Sequence, residues 1–301
     1  PGRRLRSIFF GGGTPSLMPP VLAADLIAAA GRHWGFADDI EITLEANPNS
    51  VEVARFADLA AAGVNRVSLG VQSFEPEALR FLGRAHDAAE AHTAINTAQA
   101  TFARVNFDLI YALPGQDARA WEKQLAYALS LGTGHLSLYQ LTIEPGTRFE
   151  TMVRRGEFTP VEPDDAASLY ELTQAMTAAA GIPAYEISNH ARAGQESRHN
   201  LAYWRYRDYV GVGPGAHGRR SGLATQRHRK PENWLAAVAR TTHGIENETR
   251  LVPRDRAREA LMMGLRLTDG VDLADLAART GIGVDGLVDT QAVARRAGHG
   301  L

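Results

Sequence analysis

The chain has 301 residues and is 45% apolar, enough for one large α/β domain and a smaller appendage, each around a buried core. Its 32 basic and 34 acidic residues nearly cancel, so bulk charge selects neither nucleic acid nor an anionic membrane. The absence of cysteine excludes disulfides, a thiol nucleophile and any thiolate metal site built from these residues.

From Arg6 to about Glu186, short apolar strands alternate with amphipathic helices, the pattern of consecutive βα units and of a mainly parallel sheet or barrel. The first predicted strand, Ser7–Phe10, runs straight into Gly11-Gly12-Gly13-Thr14-Pro15-Ser16. Residues without a Cβ allow φ > 0 and a close backbone approach to a ligand, and Thr14 adds a hydroxyl. A tight strand-to-helix turn ahead of Pro15 and Pro19-Pro20 needs the same residues, and the turn alone leaves both readings open.

Further strands are predicted at Ile40–Glu45, Arg66–Val71, Arg104–Ile110, His135–Gln140 and Ala184–Ile187, with helices between them. Ser50 reads as the N-cap of a helix that carries Val53, Phe56, Ala57 and Ala60 on one face and closes at Gly63. Asp87 and Glu90 form a capping-box pattern ahead of a helix over Ala88–Ala100. An open doubly wound sheet or a partial (β/α) barrel fits this repeat. The barrel is favoured because Asn106 and Asp108 share a face at period two, as a lumen with a polar ligand requires. Polar residues also recur where strands end: Glu45 and Asn47, Gln72 and Ser73, Gln140 and Thr142. A carboxylate inside an apolar strand, such as Asp108, has to be paired or ligand-bound.

After Gly194, aromatics, arginines and glycines crowd together through Gly218. A helical tail follows over Asn233–Arg240, Arg254–Leu267 and Leu273–Thr280, with one further short element before Leu301. The polar run Arg227-His228-Arg229-Lys230-Pro231 reads as a linker, which divides the chain into a barrel domain with an aromatic and glycine-rich extension over 1–222 and a smaller, mainly helical, winged-helix-like domain over 231–301. Val271–Ile282 also looks like the first helix and turn of a helix-turn-helix, with Arg295-Arg296 able to touch phosphate. The net charge of −2 argues against that, so no nucleic-acid partner is expected. No apolar run approaches the roughly 20 residues that cross a bilayer, and with no secretory pattern a cytoplasmic location is the default expectation.

Taken in order, Phe9-Phe10-Gly11-Gly12-Gly13-Thr14-Pro15-Ser16, Leu44-Glu45-Ala46-Asn47-Pro48, Val67-Ser68-Leu69-Gly70-Val71-Gln72-Ser73-Phe74 and Asp108-Leu109-Ile110-Tyr111-Ala112-Leu113-Pro114-Gly115 resemble one family. It is the radical S-adenosylmethionine (SAM) family of oxygen-independent coproporphyrinogen III oxidases. Glu45–Pro48, Leu82-Gly83-Arg84-Ala85-His86 and His199-Asn200-Leu201-Ala202-Tyr203-Trp204 resemble its HemW-type heme chaperone branch. The resemblance implies a partial (β/α) barrel of the radical SAM type. It also implies a S-adenosylmethionine site in which Gly12, Gly13 and Thr14 lie along the methionine portion. Glu45, Gln72, Arg84 and Asp108 would supply further contacts, with Thr142 a weaker candidate. Arg84 suits a carboxylate, and Asp108 a cationic or hydroxylated group.

The same resemblance implies a chaperone that binds heme and passes it to an acceptor protein, for example a respiratory membrane protein, with His199, Tyr203, Trp204 and His217 as heme candidates. The alternative it leaves open is the oxidase reaction itself. There is no Cys-x-x-Cys-His, so c-type attachment is excluded. Family members hold a 4Fe-4S cluster on a Cys-x-x-x-Cys-x-x-Cys loop after the first barrel strand, upstream of the glycine turn. Neither is in this sequence, so the expectation is a chain lacking that strand and loop, with no metal ligand of its own. A cluster is expected only if an N-terminal segment supplies three cysteines.

Overall fold

A computed structural model describes residues 4–297. Six strands form one sheet in the order β1 (Leu5–Phe10), β2 (Phe36–Ala46), β3 (Arg66–Gln72), β4 (Arg104–Tyr111), β5 (His135–Gln140) and β6 (Asn189–Ala191). The pairings from β1 to β5 are parallel, and β6 lies antiparallel on β5. The sheet curls into a half barrel, as the sequence predicts.

Side-chain alternation divides the sheet into two unlike faces. On one face Ile8, Ile42, Leu44, Val67, Leu69, Val105, Phe107, Leu109, Leu136 and Leu138 pack with helix residues such as Ile27, Phe56, Ile95, Trp121 and Leu125 in the main apolar core. The register sets the polar residues of the other face in rows: Thr43 beside Arg66 beside Arg104, Glu45 beside Ser68 beside Asn106 beside His135, and Asp108 beside Ser137. Asn106 and Asp108 therefore share the lumen face, as their spacing predicts.

Local chemistry explains where the observed elements depart from expectation. The helix expected from Ser50 is two short ones, Ser50–Val53 and Phe56–Ala61, and its cap is Asn49, whose side chain accepts from the Glu52 N–H. The capping box at Asp87 and Glu90 is present in both directions. The sixth strand is not Ala184–Ile187 but Asn189–Ala191. The Glu186 carboxylate accepts from the Ser188 N–H at 3.1 Å and from the Asn189 side chain, which folds the predicted segment into a turn. Tyr185 then donates its N–H to Asn189 and Ala191 to Pro183, each at 3.0 Å, so the residues after the turn join β5.

One compact unit ends at His199 and a second begins at Asn200. The second unit contains a sheet not expected from the sequence: β7 (His217–Arg220), β8 (Leu223–Arg227) and β9 (Ile245–Arg250), paired antiparallel in that order. The run Arg227–Pro231 thus holds the end of β8 and the start of the helix Pro231–Thr241. The helices that follow are Pro253–Gly264, Leu273–Thr280, Val284–Leu287 and Thr290–Ala297. Asp272 caps Leu273–Thr280 through the N–H groups of Ala274 and Asp275, and Gly281 closes it at φ 74°. Within this unit Glu259 accepts both Nε (3.0 Å) and one terminal nitrogen (3.2 Å) of Arg219, together with the Tyr206 hydroxyl at 2.6 Å. Among the described residues no helix is long and apolar enough to cross a membrane.

Candidate functional site

The glycine turn leaves β1 at Phe10. Gly12 and Gly13 stand at φ +83° and +63°, with no atom within 4 Å of where a Cβ would lie, so backbone conformation rather than crowding requires glycine there. The Gly12 N–H donates to Glu45 Oε2 at 3.1 Å, which joins the turn to the end of β2. Thr14 is partly exposed, makes no capping bond, and precedes the short 3-10 turn Pro15–Leu17. Ser16 is buried and donates its hydroxyl to Glu52.

At the end of β3, Gln72 takes a left-handed φ of 68°, a costly conformation for a residue with a side chain. Gly70 makes room for it: a Cβ there would stand 3.3 Å from both Gln72 Nε2 and an Arg84 terminal nitrogen. That same Arg84 nitrogen donates to Asn47 Oδ1 at 2.7 Å and to the Gly70 carbonyl at 2.8 Å, while Arg84 Nε is buried with no partner. Asn47 and Gly70 hold Arg84, and two residues on, buried His86 donates Nε2–H to the Val71 carbonyl at 2.9 Å. Burial lowers the Arg84 pKa, against the pull of Asp108 and Glu52.

Deeper in the lumen, Arg66 is 2% exposed, paired with Glu41 (3.4 Å) and donating to Asn106 Oδ1 (2.9 Å). Glu41 also takes Arg104 at 2.8 Å. Asn106 Nδ2 then donates to Ser68 Oγ (2.8 Å) and Asp108 Oδ1 (3.2 Å). This chain of charge-assisted bonds leads from Glu41 to Asp108. Burial pushes the Asp108 carboxyl up to about 7; the Ser137 hydroxyl draws it down, Glu45 raises it, and Arg66 and Arg84 oppose the rise. A carboxyl balanced this way changes charge near neutrality.

Glu45, Gln72, Arg84 and Asp108 thus gather around the ends of β2, β3 and β4, beside the glycine turn. Thr142 is exposed in the loop after β5, and its side chain is not hydrogen-bonded to these residues. The heme candidates divide between the two units. His199 belongs to the first unit, stacked on Phe9 at 4.2 Å, with its backbone N–H on Glu41 at 3.2 Å; burial and Arg66 lower its pKa to about 4. In the second unit Tyr203 lies against Tyr209 at 4.4 Å, the Arg266 guanidinium sits 4.6 Å from the Trp204 ring, and His217 is exposed at the start of β7.

Sequence reasoning missed Arg66, Glu41 and Glu52. Arg66 had a signal, since it shares its period-two face with Ser68 and Gly70. Glu41 had the same one, on a face with Thr43 and Glu45, and Glu52 had the Asn49-x-x-Glu52 capping spacing, but neither spacing names the partners that other elements bring.

Residues 2–127 match the sequence model of the Radical SAM superfamily, and residues 251–301 that of the HemN C-terminal domain. The chain is 39% identical over 289 residues to the heme chaperone HemW of Escherichia coli K12, covering 93% of this chain and 74% of that protein. It is 41% identical to the mitochondrial radical S-adenosyl methionine domain-containing protein 1 of Mus musculus, covering 89% of this chain but 63% of that protein. It therefore spans less than two thirds of the mitochondrial relative. Among solved structures, coproporphyrinogen III oxidase (HemN) from Escherichia coli, a radical SAM enzyme, shares the fold with a TM-score of 0.77 at 22% identity, covering 93% of this chain and 67% of that one. The chain belongs to the radical SAM superfamily, on the branch of the heme chaperone HemW.

Proposed function

We propose that this chain carries the S-adenosylmethionine site and the heme-binding surface of a heme chaperone, which delivers heme to an acceptor protein. The observation that supports it most is Arg84, held by Asn47 and Gly70 with its Nε buried and unpartnered, beside carboxylates and free-standing glycine backbone. A ligand with an amino-acid head and a cationic sulfur suits that set: Arg84 for its carboxylate, Glu45 and Asp108 for its positive and hydroxyl groups, and the glycine turn for close backbone contact. S-adenosylmethionine supplies such a head, a ribose and the sulfonium. The chain's residues do not fit a 4Fe-4S cluster: the sequence has no cysteine, and among the described residues no group of three or more His, Cys, Asp or Glu could hold a metal ion.

Asp108 makes cofactor affinity depend on pH. Its carboxyl is largely protonated at pH 6 and ionised at pH 8, and the ionised form attracts a sulfonium. Affinity for S-adenosylmethionine is expected to rise about tenfold across that range, and less for the uncharged thioether of S-adenosylhomocysteine. Stability of the ligand-free chain runs the opposite way. A carboxyl raised above its unfolded value of 3.8 contributes fully below that pH, and the contribution is lost as pH climbs to about 7. Calorimetric titrations at several pH values check the first sign and thermal unfolding of the ligand-free chain the second, with Asp108→Asn as the flat reference in each.

For heme, exposed His217 meets iron without disturbing a packed ring, whereas His199 would have to leave Phe9. Hemin titration followed at the Soret band is expected to saturate on the parent chain and to weaken about tenfold or more in His217→Ala. A parent chain that leaves the hemin spectrum unchanged overturns the chaperone reading.

A further inference from the structure

Glu52 lies in the one-turn helix Ser50–Val53 and is 2% exposed. Its Oε2 accepts the Ser16 hydroxyl and, at 2.6 Å, the Asn47 N–H. Its Oε1 accepts the side-chain amides of Asn47 (3.2 Å) and Asn49 (2.6 Å). One carboxylate thus ties together the exit of the glycine turn, the residues just past β2 and the following helix cap.

An ionised carboxylate only accepts, so every group that meets it has to donate. Asn47 must therefore point its NH2 at Glu52, and its Oδ1 turns the other way, where it accepts Arg84 at 2.7 Å. The orientation of one amide is what converts a buried negative charge into a fixed arginine.

We propose that Glu52 is a positioning residue of the S-adenosylmethionine site, setting the glycine turn through Ser16 and the Arg84 guanidinium through the Asn47 amide. It touches no ligand itself, and its role rests on the cofactor reading above. Glu52→Gln preserves size but brings an NH2 against two donors, since each carboxylate oxygen accepts two. The Asn47 N–H is fixed in the backbone, so the NH2 falls on the Oε1 side, and relief there requires the Asn47 and Asn49 amides to flip; the first flip turns a donor toward Arg84. The damage falls on the amino-acid end of the ligand and spares the nucleoside end.

Two ligands separate these ends: S-adenosylhomocysteine, and 5′-methylthioadenosine, which lacks the amino-acid head. In calorimetric titrations of the whole chain, Glu52→Gln is expected to weaken the first about tenfold and to leave the second within about twofold. General loosening would weaken both alike, and that result, or parent-like binding of both, overturns the proposal. If the parent itself binds neither ligand, the cofactor reading is what fails. Should Glu52→Gln not fold by circular dichroism, Ser16→Ala takes its place, since it leaves Glu52 its asparagine donors. A loss of about threefold, for S-adenosylhomocysteine alone, is expected; no loss overturns the proposal.

Discussion

Replacing Arg66 with Met is expected to cost about 3 kcal/mol of stability, lowering Tm by roughly 6–12 °C in thermal unfolding followed by circular dichroism. Arg66 is 2% exposed, so its guanidinium is stripped of water and depends on its partners. Removing it leaves the Asn106 Oδ1 without its donor and withdraws one cation from Glu41. Arg104 at 2.8 Å and the His199 N–H at 3.2 Å still serve Glu41, which places the loss at the lower end of the range for a broken buried ion pair. Burial already lowers the Arg66 pKa against the pull of Glu41, so the pair is held at an electrostatic cost. A change below about 1 kcal/mol would mean the network does not order the lumen.

Glu45→Ala is expected to weaken S-adenosylmethionine by about 100-fold with little change in Tm. Glu45 is only partly buried, and it accepts the Gly12 N–H. A bond to a charged acceptor contributes about 1.5–3 kcal/mol, and in the proposed site Glu45 would serve both the turn and the ligand's polar groups. The substitution has a second signature. Glu45 raises the Asp108 pKa, so its removal moves the midpoint of pH-dependent binding below about 7. Calorimetry across pH reads both effects in one series. Unchanged affinity together with an unchanged midpoint would detach Glu45 from the site.

The alternation of Asn106 and Asp108 was enough to place a polar lumen, because period two is a property of the strand itself. Arg66 was harder to place. At the start of an apolar strand a charge usually meets water, and its burial here depends on Glu41 arriving from β2 and Asn106 from β4. The cradle was legible as a motif, but Glu52, which ties it, draws its donors from Ser16, Asn47 and Asn49 across a stretch that no periodicity links. The sixth strand moved because a carboxylate makes the turn at Glu186, a side-chain effect that hydrophobic patterning does not carry. The sheet β7–β9 left little trace for a similar reason: Ile245–Arg250 is exposed along nearly its whole length, so it lacks the apolar alternation that announces a strand.

In the proposed site the glycine turn, Glu45, Arg84 and Asp108 surround one S-adenosylmethionine, and a crystal structure of the chain with S-adenosylhomocysteine decides whether they do. The expected result is a ligand whose amino-acid head lies along Gly12 and Gly13, with its carboxylate on Arg84 Nε, the buried nitrogen that has no partner. A ligand bound elsewhere, or Arg84 still turned wholly to Asn47 and Gly70 with that nitrogen unmet, would contradict it.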